Sequence, residues 1–259
     1  MRPLPFAPLA VPAIIAPLTG GSAEAVAAQA AAAGSEPGVD VLEWRVDALL
    51  EAQDAWGVRS SRAARAVVEG FEAATLPGLP VLATFRSEAE GGECPLEVYF
   101  ELVAALMGVA APDDRGGMVS PSAVDVEIAR DGALELIGAA RETGVAVVAS
   151  SHEWEATPPA EEIQARLHRM AAAGADVAKI AVMPQTMEDV FGLMQATHAA
   201  SEALAIPVIG IAMGERGRLT RLCAAEFGSA ATFATVGAAS APGQMTAAQV
   251  AAVRQALGR

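Results

Sequence analysis

Two hydrophobic patterns alternate along the chain. Short apolar runs with β-branched residues fall at 13–18 (AIIAPL), 40–47 (DVLEWRVD), 80–87 (PVLATFRS), 123–129 (AVDVEIA), 144–151 (GVAVVASS), 176–183 (DVAKIAVM), 207–213 (PVIGIAM) and 230–236 (AATFATV). Their length and composition predict strands. Ala-rich stretches with apolar residues at helical spacing separate them, among them PLEVYFELVAALMG, PAEEIQARLHRMAAAG and the C-terminal TAAQVAAVRQALG. Several close on Gly or lead into Pro, as helix ends do. Eight strands alternating with helices in 259 residues predict one α/β domain over 1–259, a parallel (β/α)8 or TIM barrel. An open doubly wound sheet would be favoured by a glycine-rich phosphate loop after an early strand, but LTGGSAEA lacks the G-x-G-x-x-G spacing.

Strand alternation assigns the faces. In VLEWRVD, Glu43, Arg45 and Asp47 share one side and Leu42, Trp44 and Val46 the other. Thr84 and Arg86 oppose Ala83 and Phe85; Asp125 and Glu127 oppose Val124, Val126 and Ile128; Lys179 opposes Ala178 and Ile180. In a barrel the apolar set meets the helices and the charged set points inward. Burying several charges costs several kcal/mol per ion unless geometry or function compensates. Asp47, Asp125 or Glu127 could serve merely to neutralise Arg45 and Arg86. The runs EWRVD, TFRS, SSHEW and IAMGERGR all bring polar groups to strand ends, where barrel active sites lie.

Composition narrows the setting. The chain is 53% hydrophobic with a net charge of -14, which argues against nucleic acid, whose phosphates call for clustered Lys and Arg. Pro at positions 3, 5, 8, 12 and 17 interrupts any N-terminal signal-like segment. No run reaches the roughly 18 to 20 apolar residues of a membrane span. Two distant cysteines, Cys94 and Cys223, have neither disulfide-framework nor metal-ligand spacing. A cytoplasmic protein without membrane contact is expected.

The 17 basic residues comprise 16 Arg and one Lys, Lys179, in GADVAKIAVMP. An ammonium beside Val177, Ile180, Ala181 and Val182 is poorly solvated, and desolvation favours the neutral, nucleophilic amine. Arg cannot substitute, because guanidinium stays protonated and does not condense with ketones. The alternative is a lysine that balances Asp125 or Glu127. Of three histidines, His168 and His198 fall in helical patterns. His152 ends the strand before the lysine's, where it could shuttle a proton near neutral pH.

The segments LEWRVD, TFRSEAEGG, SSHEWEATP, GADVAKIAVMP and FGSAATFATVGAASAPGQM, in this order, resemble the signatures of type I 3-dehydroquinate dehydratases, from about residue 13 to 250. The resemblance implies dehydration of 3-dehydroquinate to 3-dehydroshikimate, the third step of the shikimate pathway. Lys179 would form an imine with the C3 ketone and His152 would act as general acid and base, oriented by Glu90 of the EGG motif. It further implies that Glu43, Arg45 and Arg86 contact the substrate's hydroxyls and ring, and that Arg221 holds its carboxylate. Met213 and Phe233 would pack on the ring, and Ser240 and Gln244 would lie on a closing loop. No cofactor and no metal is implied; family members are often homodimers.

Three positions depart from the family pattern. Ile211 stands at the first of two methionine positions in the seventh strand, Pro17 where a serine is common, and HEW where the histidine is usually followed by Asp or Asn and then Phe. Other readings are a class I aldolase acting on a phosphorylated sugar, a metal barrel using His152 with Glu43, Asp125 or Glu127, and a catalytically silent metabolite-binding barrel. For Arg221 the alternative is a helix cap or a surface pair with Glu215 or Glu226.

Overall fold

The computed structural model describes residue 4 and residues 11–56, 61–112, 116–237 and 243–258. Strands β1 (Ala13–Leu18), β2 (Val41–Arg45), β3 (Val81–Thr84), β6 (Ala123–Glu127), β7 (Ala146–Glu153), β8 (Val177–Val182), β9 (Val208–Ala212) and β10 (Ala231–Phe233) each overlap one of the eight runs expected to form strands. Two further strands of two residues each, β4 (Ala111–Pro112) and β5 (Met118–Val119), pair antiparallel. Helices α1 (Ala23–Ser35), α2 (Val46–Ala52), α3 (Ser61–Thr75), α4 (Leu96–Leu106), α5 (Ala133–Thr143), α6 (Ala160–Ala172), α7 (Met187–Ala203), α8 (Arg218–Leu222) and α9 (Ala247–Ala256) separate them. The eight longer strands belong to one sheet, in the order β10-β1-β2-β3-β6-β7-β8-β9. This is the (β/α)8 fold.

Internal contacts divide the chain into two compact units. The first holds Pro17–Ser35 and Val41–Val147; the second holds Glu36–Asp40, Val148–Arg259 and the start of β1. In the first, β2 pairs in parallel with β3 and β3 with β6, and α1 packs on α3. Strands β2, β3 and β6 are buried along nearly their whole length, so they tolerate charged side chains only where partners exist. In the second unit β7 pairs with β8, β8 with β9, and β1 with β10, all parallel. Helix α6 turns Ile163, Leu167 and Met170 inward at helical spacing and packs against β8. Helices α7 and α9 each open with a capping box, Thr186 with Asp189 and Thr246 with Gln249, which satisfies otherwise orphaned first-turn amides.

Several strands are shorter than their patterns: β3 ends at Thr84, so Arg86 lies beyond it rather than on its face, β6 ends at Glu127 and β10 at Phe233, and β2 gives way to a helix. The alternation of VLEWRVD puts Asp47 on the strand face of Glu43 and Arg45, but the strand ends at Arg45 and α2 begins at Val46. Asp47 therefore sits in a helical first turn, fully buried. A bidentate ion pair still joins it to Arg45.

Candidate active site

In the first unit the functional side chains form a buried ionic cluster. Arg86, just beyond β3, is 3% exposed. Its guanidinium pairs with Asp125 Oδ1 at 2.9 Å, Glu127 Oε1 at 2.9 Å and Glu90 Oε2 at 3.6 Å. Burial opposes its charge, but Asp125, Glu127 and Glu90 outweigh that and hold its pKa above the ordinary arginine value. Glu127 also accepts from Ser87 N at 2.8 Å and Ser87 Oγ at 2.5 Å, and it lies 3.4 Å from Arg130 Nε. The Tyr99 hydroxyl accepts from the Glu127 amide at 2.8 Å. Arg45 grips Asp47 through two bonds, of 2.9 and 2.6 Å. Thr84 Oγ1 donates to Glu43 Oε1 at 3.2 Å. The neutralising roles open to Asp47, Asp125 and Glu127 in the sequence are the ones they fill.

Glu90 reaches Arg86 because of the two glycines that come after it. It ends a 3-10 turn over Glu88–Glu90, and Gly91 takes φ 78°, a left-handed conformation natural to glycine. A Cβ on Gly92 would lie 2.1 Å from the Arg86 carbonyl oxygen, so only glycine lets the loop fold back. Bonds from Cys94 N to Arg86 O and from Glu88 N to Cys94 O, 3.0 and 2.9 Å, then close it. Desolvation first, then the charge on Glu127, pushes the Glu90 carboxyl up to about 8; Arg86 offsets part of this.

Lys179 lies at the centre of β8, whose six residues are all buried, and is 3% exposed. Its Nζ stands 4.6 Å from the centroid of the Phe233 ring on β10, a cation–π distance. In the β7–β8 register Ser150 pairs with Lys179 and His152 with Ala181. With side chains alternating, His152 shares the face of Lys179 and stands one row further along the adjacent strand. Spacings of about 3.3 Å per residue and about 4.8 Å between strands place the two within reach of one small molecule.

Met213 comes directly after β9, its amide donating to Val182 O at 2.7 Å, and Ile211 is buried within that strand. The second glycine of MGERGR shapes the turn into α8: a Cβ on Gly217 would lie 1.8 Å from Ala212 O. Helix α8 is thereby seated on the end of β9. Thr220 Oγ1 accepts from Ala212 N at 3.1 Å, and Arg221 Nη1 donates to Ala212 O at 2.6 Å. Arg221 is 8% exposed, and burial alone lowers its pKa. Glu215 pairs with Arg218 instead, and among the described residues no carboxylate lies within ion-pair distance of Arg221. Gln244 is half-buried, whereas Ser240 lies outside the described residues.

Ser87, Tyr99 and Arg130 complete the ionic cluster without standing out in the sequence. Ser87 directly succeeds Arg86 and Arg130 comes three residues after Glu127, which is the only local signal either carries. Among the described residues no group of three His, Cys, Asp or Glu side chains is placed to hold a metal ion.

The family model for type I 3-dehydroquinase matches residues 14–259. A 3-dehydroquinate dehydratase from Klebsiella pneumoniae (strain 342) is 42% identical over 227 residues, covering 86% of this chain and 84% of its own. One from Lactiplantibacillus plantarum is 38% identical over 240 residues, covering 90% and 88%. The crystal structure of the type I 3-dehydroquinate dehydratase from Clostridium difficile, with covalently modified comenic acid, superposes with a TM-score of 0.81 at 32% identity, over 95% of this chain and 92% of that one. That of the Geobacillus kaustophilus enzyme gives 0.80 at 33%, over 96% and 91%. Matched along nearly its whole length by the family model and by relatives well above 30% identity, the chain belongs to the type I 3-dehydroquinase family.

Proposed function

We propose that this chain dehydrates 3-dehydroquinate to 3-dehydroshikimate through an imine on Lys179. The Nζ amine adds to the C3 ketone and water leaves, giving an iminium that serves as an electron sink. His152 removes a proton from C2, and the electron pair moves into the C2–C3 bond as an enamine. That pair then expels the C1 hydroxyl, which takes the proton back from the imidazolium and departs as water. Hydrolysis of the conjugated iminium returns the ketone oxygen to the product and the amine to Lys179.

The main support for this reading is the placement of Lys179: a buried amine over the Phe233 ring, with His152 one row along the same face of the neighbouring strand. The ring face favours a cation, so it supports the iminium as well as the ammonium. Arg221 is the carboxylate anchor in this reading. It is a buried guanidinium with one neutral acceptor, Ala212 O, and a bidentate carboxylate would supply the charge it lacks. In this reading Met213 and Phe233 pack on the substrate's ring and Gln244 contributes from the loop before α9. On the same reading Glu90 orients His152, and Glu43, Arg45 and Arg86 contact the substrate's hydroxyls and ring.

The chain is also proposed to act as a cytoplasmic homodimer in aromatic biosynthesis. Among the described residues no helix is long and apolar enough to cross a membrane.

Incubation with 3-dehydroquinate after exhaustive chelation tests the activity. Formation of the conjugated enone at an undiminished rate is expected. Loss of activity with recovery on a divalent ion would replace the imine with metal-assisted elimination. Cleavage of a phosphorylated sugar with no enone from 3-dehydroquinate would favour the aldolase.

A further inference from the structure

Arg166 has no part in the proposed chemistry, yet its guanidinium contacts both neighbours of His152 in the chain. It lies on α6, three residues after Ile163 and four before Met170, on the flank of the buried stripe. From there Nη1 donates to Ser151 Oγ at 3.3 Å and to Glu153 Oε1, while Nε donates to Glu162 Oε1 at 2.8 Å, one turn back on the same helix. Glu162 also takes a bond from Arg169 at 3.3 Å. The fork is thus held by its own helix on one side and grips the strand on the other.

What it grips is the last stretch of β7. Alternation sends Ser151 and Glu153 to the face opposite Ser150 and His152, and Glu153, paired with Val182, is the final residue of the ladder. His152 is therefore one residue from a strand end, where fraying is easiest. An imidazole that must meet a carbon-bound proton tolerates little displacement.

We propose that Arg166 is a positioning residue for His152: by tying Ser151 and Glu153 to α6 it fixes the strand end, and hence the imidazole, from behind. The inference rests on the general acid–base role proposed for His152. The required geometry is a planar fork with three directed bonds, which an ammonium cannot reproduce.

The test is a cycle of Arg166→Ala in two backgrounds, wild type and His152→Ala. In wild type the substitution should lower kcat by about 10-fold to 100-fold. KM should change by less than about twofold, and borohydride should still trap the imine on Lys179. Arg166→Lys should recover part of kcat. In the His152→Ala background the same substitution should have almost no further effect, because it acts through a group already removed. Glu153→Gln, a milder change at a partly exposed side chain, should lower kcat in the same sense and serves if Arg166→Ala fails to fold. An equal loss in both backgrounds, or a loss confined to KM, would overturn the positioning role while leaving the chemistry intact. Near-normal turnover by His152→Ala alone would overturn the histidine's role and this inference with it.

Discussion

The two units surround their buried cations differently. In the first, Arg86 meets Asp125, Glu127 and Glu90, and Arg45 meets Asp47; each cation is covered by carboxylates from other turns or strands. In the second, Lys179 faces an aromatic ring and Arg221 a single carbonyl. The contrast separates two uses of a buried cation. A cation paired with several carboxylates is held in place by them. A buried guanidinium on a single carbonyl, such as Arg221, keeps its charge available for a ligand.

The contrast is most exposed to test at Lys179. Lys179→Arg keeps the positive charge but removes the nucleophile, so turnover should fall by at least about 10⁴-fold, measured as enone formation. A variant within tenfold of wild type would mean that charge alone suffices there. His152→Ala should come next, with kcat down about 10²-fold to 10⁴-fold and imine trapping retained. Arg86→Ala probes the other unit. It strands Asp125 and Glu127, so a loss of about 3 to 5 kcal/mol in unfolding free energy is expected, read by denaturant titration. Arg221→Ala should instead weaken binding of the carboxylate-bearing substrate by about 1.5 to 3 kcal/mol. A ligand without the carboxylate should bind wild type and variant alike, and Arg221→Lys should restore only part of the loss. Equal weakening of both ligands would remove Arg221 as the anchor.

The smallest effect is one of pH, within the ionic cluster of the first unit. The Glu90 carboxyl is pushed up to about 8 from an ordinary value of 4.5, so between those pH values the folded state holds a proton that the unfolded state has released. Its contribution to stability is full below the unfolded value and is lost as pH rises through the folded one. Glu90→Gln should flatten the fall in stability between about pH 5 and pH 8, measured as denaturant midpoints at fixed ionic strength. An unchanged pH profile would show that Glu90 is ionised throughout.

Periodicity and turn residues make the eight strands legible in the sequence, because both are local. Lys179 stands out for a similar reason, as the only residue of its type in an apolar run. The end of β2 is not legible: nothing local distinguishes Val46 and Asp47 as a helix start, and the pull of Arg45 on Asp47 acts through side chains. Strands β4 and β5, of two residues each, are too short to show a period. Asp125 and Glu127 lie roughly 40 residues beyond Arg86 in the chain, and alternation puts them on a polar face without saying which cation they meet. The clamp on Ser151 and Glu153 joins a strand to a helix 13 and 15 residues on, and a separation of that size leaves no periodic trace. The resemblance to the family supplies site residues that spacing alone leaves open, such as Glu90, whose approach to Arg86 depends on the glycines of the EGG turn.

Imine formation at Lys179 is tested most directly by borohydride reduction in the presence of 3-dehydroquinate, with peptide mass mapping of the product. With one lysine in the chain, only the N-terminal amine competes. A covalent adduct of ligand mass is expected on the peptide containing Lys179, with activity lost in proportion to its yield. Turnover of 3-dehydroquinate with no adduct, or with an adduct only at the N-terminus, would contradict the imine mechanism.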